Sequence, residues 1–328
     1  MILVTGGAGF IGSNLIAALE ERGAGDVVVC DRLGQDEKWR NLGKRELAAL
    51  ITPEALPGFL EAQGKNVDVV FHLGASSSTT ETDADLIIAS NFTLSRLLWD
   101  WCAAMGKRFI YASSAATYGD GSAGFEDDGK PAALARLKPL NAYGWSKHLF
   151  DRRVARLVER GAPQPAQWAG LKFFNVYGPN EYHKGSQKSV VAQIFPRARD
   201  GVACTLFRSH REGVPDGGQK RDFVYVRDSV DQMLWLYDHP SVSGLFNAGT
   251  AAARSFADLA RAVYRALGRE PQIDYVDTPA AIRDKYQYFT EARMDRIKAV
   301  GYTRPPTSLE EGVQDYVQRY LAADDPYR

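Results

Sequence analysis

The sequence predicts an α/β fold in which a doubly wound parallel sheet is followed by a smaller mixed α/β C-terminal domain. The first half of the chain alternates short, continuously apolar runs with stretches of helical period. A glycine-rich turn stands directly between the first apolar run and the first helical stretch. After about Tyr177 the rhythm weakens and Gly and Pro interrupt shorter elements. Runs that are apolar throughout, rather than alternating, suit strands buried on both faces, as in a parallel sheet covered by helices.

In order, residues 1–5 read as a strand, and residues 10–22 as a helix with Ile11, Leu15, Ala18 and Leu19 on one face. Residues 26–30 and 67–72 are the next strands, 84–105 a long helix, 108–113 a strand, 143–159 a helix and 171–175 a strand. Beyond them come a helix at 189–199, a strand at 203–207, a helix at 229–238 and a short strand at 245–248. A helix opened by the capping Ser255 covers 255–267, a strand 272–276 and a closing helix 308–320. Gly213, Pro215, Gly217 and Gly218 make 208–220 a loop. The expected division is a nucleotide-binding domain over 1–176, joined again by about 222–248, and a mainly substrate-binding domain over 177–328.

Composition narrows the function by exclusion. With 40 Lys and Arg against 40 Asp and Glu, the 328-residue chain has no net basic field for nucleic acid or anionic lipid. Cys30, Cys102 and Cys204 are far apart and form no CxxC or Cys/His cluster. Neither a zinc site nor a disulfide framework is expected, which fits a reducing compartment, the cytoplasm. No run approaches the roughly 20 apolar residues of a membrane span. Residues 1–5 pass straight into glycines, so they read as structure rather than as a signal peptide.

Gly6, Gly9 and Gly12 give a G-x-x-G-x-x-G spacing between strand and helix. Such a turn brings backbone N–H groups and a helix N-terminus against a diphosphate, and its third glycine lets helix and strand pack closely. Asp31 ends the second strand, 19 residues past Gly12, where an acidic side chain reaches the adenosine ribose. An Asp alone favours NAD, whereas Arg32 and Lys38 beside it favour a 2′-phosphate. The expectation is NADP, with NAD the alternative.

Tyr143 and Lys147 are four residues apart on one helix face. A phenol with an ordinary pKa of about 10 is a poor base at neutral pH, and a neighbouring ammonium lowers it. Lys147 is also placed to hold a nicotinamide ribose. The strand at 108–113 runs into Ser113-Ser114-Ala115-Ala116-Thr117-Tyr118-Gly119, at the carboxyl end where open α/β sheets bind ligands. Ser114 is therefore expected to hydrogen-bond a substrate hydroxyl or carbonyl.

These motifs together resemble the extended short-chain dehydrogenase/reductases, which include NAD-dependent epimerases and dehydratases of sugar nucleotides. The blocks His72-Leu-Gly-Ala-Ser-Ser-Ser-Thr-Thr-Glu81, Pro139-Leu-Asn-Ala-Tyr-Gly-Trp-Ser-Lys147, Phe174-Asn-Val-Tyr-Gly-Pro-Asn-Glu-Tyr-His-Lys-Gly-Ser186, Lys220-Arg-Asp-Phe-Val-Tyr-Val226 and Tyr286-Gln-Tyr-Phe-Thr290 are similar to those of the ADP-L-glycero-D-manno-heptose 6-epimerase group. The resemblance covers nearly the whole chain. It implies C6 epimerisation of an ADP-heptose by transient oxidation, with one tightly bound NADP per subunit and a homo-oligomer, a pentamer in that group. It implies Tyr143 and Lys184 as opposed acid–base groups. It implies cofactor contacts at Phe10, Ile11, Leu73, Gly74, Ala75, Ser76, Ser77, Asn91 and Val176. Substrate contacts are implied at Asn175, Ser186, Gln193, Phe207, Arg208, Ser209, His210, Arg221 and Tyr286. The segment 44–64 does not align residue by residue, and the loop 208–220 is longer than in some members. Dehydratases of the superfamily commonly carry an acidic pair where this chain has Ala115-Ala116, which disfavours that alternative. A regulator that has lost catalysis commonly lacks the Tyr or the Lys, and both are present.

Overall fold

The computed structural model describes residues 1–283 and 286–328. Thirteen strands are formed among them: β1 Ile2–Thr5, β2 Val27–Cys30, β3 Ala49–Ile51, β4 Val69–His72, β5 Arg108–Ser114, β6 Gln167–Phe173, β7 Asn175–Tyr177, β8 Cys204–Phe207, β9 Lys220–Arg221, β10 Phe223–Tyr225, β11 Gly244–Ala248, β12 Arg254–Ser255 and β13 Ile273–Val276. Seven make one sheet in the order β11-β6-β5-β4-β1-β2-β3. Every pairing within it is parallel. This is the doubly wound Rossmann arrangement with a seventh strand added beyond β6.

The helices are α1 Phe10–Glu21, α2 Leu56–Gln63, α3 Ala84–Ile88, α4 Leu94–Met105, α5 Pro131–Leu134, α6 Ala142–Glu159, α7 Val190–Arg199, α8 Val226–Asp238, α9 Phe256–Ala266, α10 Ala280–Arg283, α11 Asp295–Ala299 and α12 Leu309–Tyr316. Because strand side chains alternate, the apolar runs divide between two faces. Ile2, Val4, Val27, Val29, Val69 and Phe71 meet Leu15, Ile16 and Leu19 of α1 and Val230, Met233 and Leu234 of α8. Leu3, Val28, Cys30, Val70 and Phe109 meet α2, α4 and α6 through Leu56, Leu60, Leu98, Trp99, Phe150 and Val154. A further core joins Val191, Ile194 and Phe195 of α7 to α9 and α12 through Leu259, Val263, Leu309 and Val313. Short pairings β10–β7, β12–β9 and β13–β8 stitch that layer together. No helix among the described residues is long and apolar enough to cross a membrane.

Among the elements that differ from the sequence reading are three in the first half of the chain and just beyond it. The long helix at 84–105 is α3 and α4 joined by a π-helical turn, Ala89–Thr93. The strand at 171–175 is two: β6 starts earlier, at Gln167, and β7 leaves the large sheet to pair with β10. Gln167 is fully buried in a strand because its amide donates to the carbonyls of Leu236, His239 and Val242. The unassigned stretch after Lys44 contains the edge strand β3 and α2.

Under the carboxyl end of β5 lies a fully buried ion pair, Lys172 Nζ to Asp151 Oδ2 at 2.7 Å. Asp151 also accepts from Tyr111 at 3.1 Å and Ser113 at 2.7 Å. Lys172 donates to Thr117 at 2.6 Å and faces the Tyr118 ring. The network ties β5, β6, α6 and the turn after β5 at one point. Removing one member of such a pair leaves an uncompensated buried charge. Asp151→Asn is therefore expected to lower unfolding free energy by about 3–5 kcal/mol, measured by urea titration.

Candidate active site

The carboxyl ends of β1, β4, β5 and β6 open into a cleft of about 640 Å³. Its floor is the glycine turn. Gly6 has φ +69°, and a Cβ there would lie 2.5 Å from the Gly74 nitrogen. A Cβ on Gly12 would lie 2.2 Å from the Gly6 carbonyl oxygen, so the start of α1 sits on the turn itself. Gly9 caps α1 without any side-chain hydrogen bond, leaving the first N–H groups of the helix directed outward. Free N–H groups at a helix start suit an anionic ligand.

Asp31 fixes the next part. One carboxylate oxygen accepts from the Ala8 N–H at 2.9 Å and the other from Lys38 Nζ at 2.7 Å. Asp36 caps the short 3₁₀ turn Glu37–Leu42, which presents Lys38. Asp31, Arg32, Lys38, Pro53, Glu54, Gly74, Ala75, Ser76 and Leu86 line a second cavity of about 520 Å³. It shares Gly6, Asp31, Lys38 and Gly74 to Ser76 with the first, so the two form one groove. Arg32 is turned onto Glu54 in an ion pair at the rim.

A hydrogen-bonded chain holds β1 against β4. Gly74 N–H donates to Thr5 Oγ1 at 3.2 Å, and Thr5 pairs with His72 Nδ1 at 2.7 Å. His72 Nε2 meets Ser95 Oγ at 2.8 Å, and Ser95 donates to the Asn91 carbonyl at 2.6 Å. Because Ser95 spends its hydrogen on Asn91, it accepts from His72, which places the proton on Nε2 and leaves Nδ1 to accept from Thr5. Burial and then the Lys147 charge push the His72 imidazole down to about 3.

At the centre, Asn141 caps α6 by accepting from Gly144 N–H at 2.8 Å, which sets Tyr143 in the first helical turn. Ser114, Tyr143, Lys147 and Lys184 all line the same cleft. Lys147 Nζ donates to the Ala112 carbonyl at 2.9 Å, and burial pushes its amine down to about 8, opposed by Asp151. The sequence suggested that Lys147 would lower the Tyr143 phenol. Instead burial raises the phenol, and a hydrogen bond with Ser114 opposes that rise. Lys147 is turned onto the Ala112 carbonyl. Lys184 lies over the Phe10 ring at 5.3 Å, and burial pushes its amine down while Glu181 pulls it up.

The cleft wall also includes Gly9, Phe10, Ile11, Leu73, Ser77, Val176 and Ser186, as expected from the sequence. Nine expected contacts, Asn91, Asn175, Gln193, Phe207, Arg208, Ser209, His210, Arg221 and Tyr286, are not part of that wall. Asn91 is fully buried in the π-helical turn, where its amide braces the Ser76 backbone at 2.8 and 2.9 Å. Asn175 is exposed on β7, and Gln193 donates to the carbonyls of Ser186 and Lys188. Phe207, Arg221 and Tyr286 gather apart from the cleft, with Arg221 over Tyr286 at 5.4 Å and over Phe256 at 5.5 Å. Phe207 meets Tyr286 edge-on at 6.0 Å. Nearby, His210 N–H donates to Tyr288, and Arg208 and Ser209 head the exposed loop. Ser78, Thr80, His183 and Gln187 line the cleft although the sequence reading passed over them. Gln187 Nε2 donates to Ser78 Oγ at 3.2 Å, joining the loop after β4 to the Lys184 segment.

An open helix N-terminus beside a ribose-reaching carboxylate, with a phenol and amines a strand away, defines an enzyme of the nicotinamide-dependent Rossmann class. The pattern of the NAD dependent epimerase/dehydratase family matches residues 2–249, and the chain belongs to that family. A protein of Nitratidesulfovibrio vulgaris strain DP4 named ADP-L-glycero-D-manno-heptose-6-epimerase is 49% identical over 100% of both chains. The crystal structure of the Helicobacter pylori ADP-L-glycero-D-manno-heptose-6-epimerase is 29% identical with a TM-score of 0.80, covering 98% of this chain and 96% of that one. The Thermus thermophilus UDP-glucose 4-epimerase, solved with NAD, is 25% identical with a TM-score of 0.73, covering 98% and 99%.

The His72 chain gives a pH signature. Its folded-state value of about 3 lies below the unfolded value of 6.5. The unfolded protein therefore binds the extra proton between these limits, and the stabilisation is whole above pH 6.5 and lost as pH falls toward 3. In His72→Gln, the decline of unfolding free energy over that window is expected to flatten by about 1.4 kcal/mol per pH unit, read from urea titrations at successive pH.

Proposed function

We propose that this chain epimerises ADP-D-glycero-D-manno-heptose to its L-glycero form at C6 using a bound nicotinamide cofactor. The observation that carries the reading is the placement of Ser114, Tyr143, Lys147 and Lys184 in one cleft continuous with the dinucleotide groove. The full-length identity to a named heptose epimerase supports it. The residues present fit the cofactor: the Gly6 and Gly12 positions have no room for a Cβ, and the N-terminus of α1 is open. Gly9 to Gly12 would hold its diphosphate, Asp31 and Lys38 the adenosine ribose, and Lys147 the nicotinamide ribose.

The bound cofactor supplies reversible hydride acceptance at the sugar carbon. Tyr143 takes or returns the proton of the C6 oxygen from one side, and Lys184 does so from the other. A lowered lysine value suits that exchange near neutral pH. Ser114 donates a hydrogen bond to the same oxygen. The Phe10 and Phe174 rings in the wall exclude water. Arg221, held against Tyr286 and Phe256, meets the ADP end through its guanidinium. Lys38 beside Asp31 supports NADP over NAD. The three unpaired, buried cysteines support a cytoplasmic setting.

The purified protein is expected to convert the D-glycero substrate to the L-glycero epimer, followed by NMR; no epimer in protein with its cofactor retained ends the reading. Tyr143→Phe and Lys184→Ala should each lower kcat by roughly 10²- to 10⁴-fold with cofactor retention unchanged. The mass of the molecule released on denaturation distinguishes NADP from NAD.

A further inference from the structure

Glu181 has no exposed surface, yet its carboxylate forms no ion pair among the described residues. Three donors hold it instead. Oε1 accepts from the Ser189 hydroxyl at 2.6 Å and from Gly178 N–H at 3.4 Å, and Oε2 accepts from Ser189 N–H. Its own carbonyl accepts from Lys184 N–H at 3.1 Å. One residue thus ties both ends of the 178–189 segment and the turn that carries Lys184. Ser189 caps α7 by accepting from Ala192 N–H at 3.3 Å, so the tie ends on a packed helix. The segment is bent at positive φ on both sides of Lys184, 72° at Asn180 and 54° at Gly185.

Burial raises the Glu181 carboxyl above the usual carboxylate range, and the bonds from Ser189 followed by the Lys184 charge oppose that rise. The cation that acts on it is Lys184, half-buried with its amine over the Phe10 ring. We propose that Glu181 is a positioning residue for Lys184. It holds the segment so that the amine faces the reacting carbon, and it supplies the counter-charge against which that amine holds its proton. This rests on the reading of Lys184 as an acid–base group. The other titratable groups facing the pair are Tyr182 and His183 on the same segment and Tyr316 on α12. Burial raises both phenols and lowers the imidazole to about 4, so all three are neutral near pH 7. Lys38, Asp36 and Asp31 act on His183 from the cofactor side.

The test is Glu181→Gln in protein that retains its cofactor, with two readouts. Acetylation of Lys184 by acetic anhydride, followed against pH by peptide mass spectrometry, reads the amine without substrate. Its midpoint is expected to fall by roughly one pH unit, and Glu181→Asp is expected to keep it near the wild-type value. With ADP-heptose, kcat should fall roughly 10- to 100-fold while KM stays within about twofold. An unmoved labelling midpoint, or a kcat loss that only tracks loss of cofactor, overturns the proposal. Should the Gln variant not fold, Glu181→Asp decides: its carboxylate is one methylene short of Ser189, so an unchanged kcat refutes the tie. Failure of the functional reading shows separately, as wild-type turnover in Lys184→Ala, and leaves the labelling result standing.

Discussion

Backbone meets backbone where Gly6 approaches Gly74, with no room for a side chain on Gly6, and the remaining geometry of the cleft follows from that contact. It brings the loops after β1 and β4 together and starts α1 on top of the turn. The helix N-terminus then faces the gap between these loops rather than solvent. Asp31 reinforces the turn through Ala8, and Thr5 reinforces it through Gly74 and His72. Each bond is worth only about 1 kcal/mol, but all of them fix the same few backbone atoms. A ligand that binds there finds its partners already in place, and the ordering cost has been met by folding.

Three amines near the cleft, Lys147, Lys172 and Lys184, are wholly or partly withdrawn from water. Lys172 is matched by Asp151, whereas Lys147 rests on a carbonyl and Lys184 lies over an aromatic ring. The matched pair is structural and the two less compensated amines are in the cleft. Charge separation of this kind stores electrostatic free energy where a negatively charged ligand can use it, while the molecule as a whole stays neutral.

The nucleotide half was legible because its signals are local. Continuous apolar runs give buried strands, the glycine spacing marks the first turn, and the four-residue separation of Tyr143 and Lys147 places both on one face. The π-helical turn was not legible, because one extra residue shifts the apolar face without erasing it: Leu98, Trp99 and Cys102 still fall inward. The burial of Asn91 against the Ser76 backbone follows from that turn. Strand β3 has only three residues inside a helix-like run, and its assignment depends on pairing with β2. Glu181 gives no signal in the sequence, since a loop glutamate is usually solvated. Arg221, Phe207 and Tyr286 are separated in the chain, and only resemblance brought them together before folding did.

The single bond from Gln187 to Ser78 is the direct side-chain link described between the two walls at the mouth of the cleft. A partly hydrated bond of that kind is worth about 1 kcal/mol, so thermal motion breaks it often. The two lips can therefore part while the apolar layers behind them stay packed. Losing that bond disturbs none of the three apolar cores, so the loop after β4 and the turn carrying Lys184 are joined far more lightly than the layers behind them.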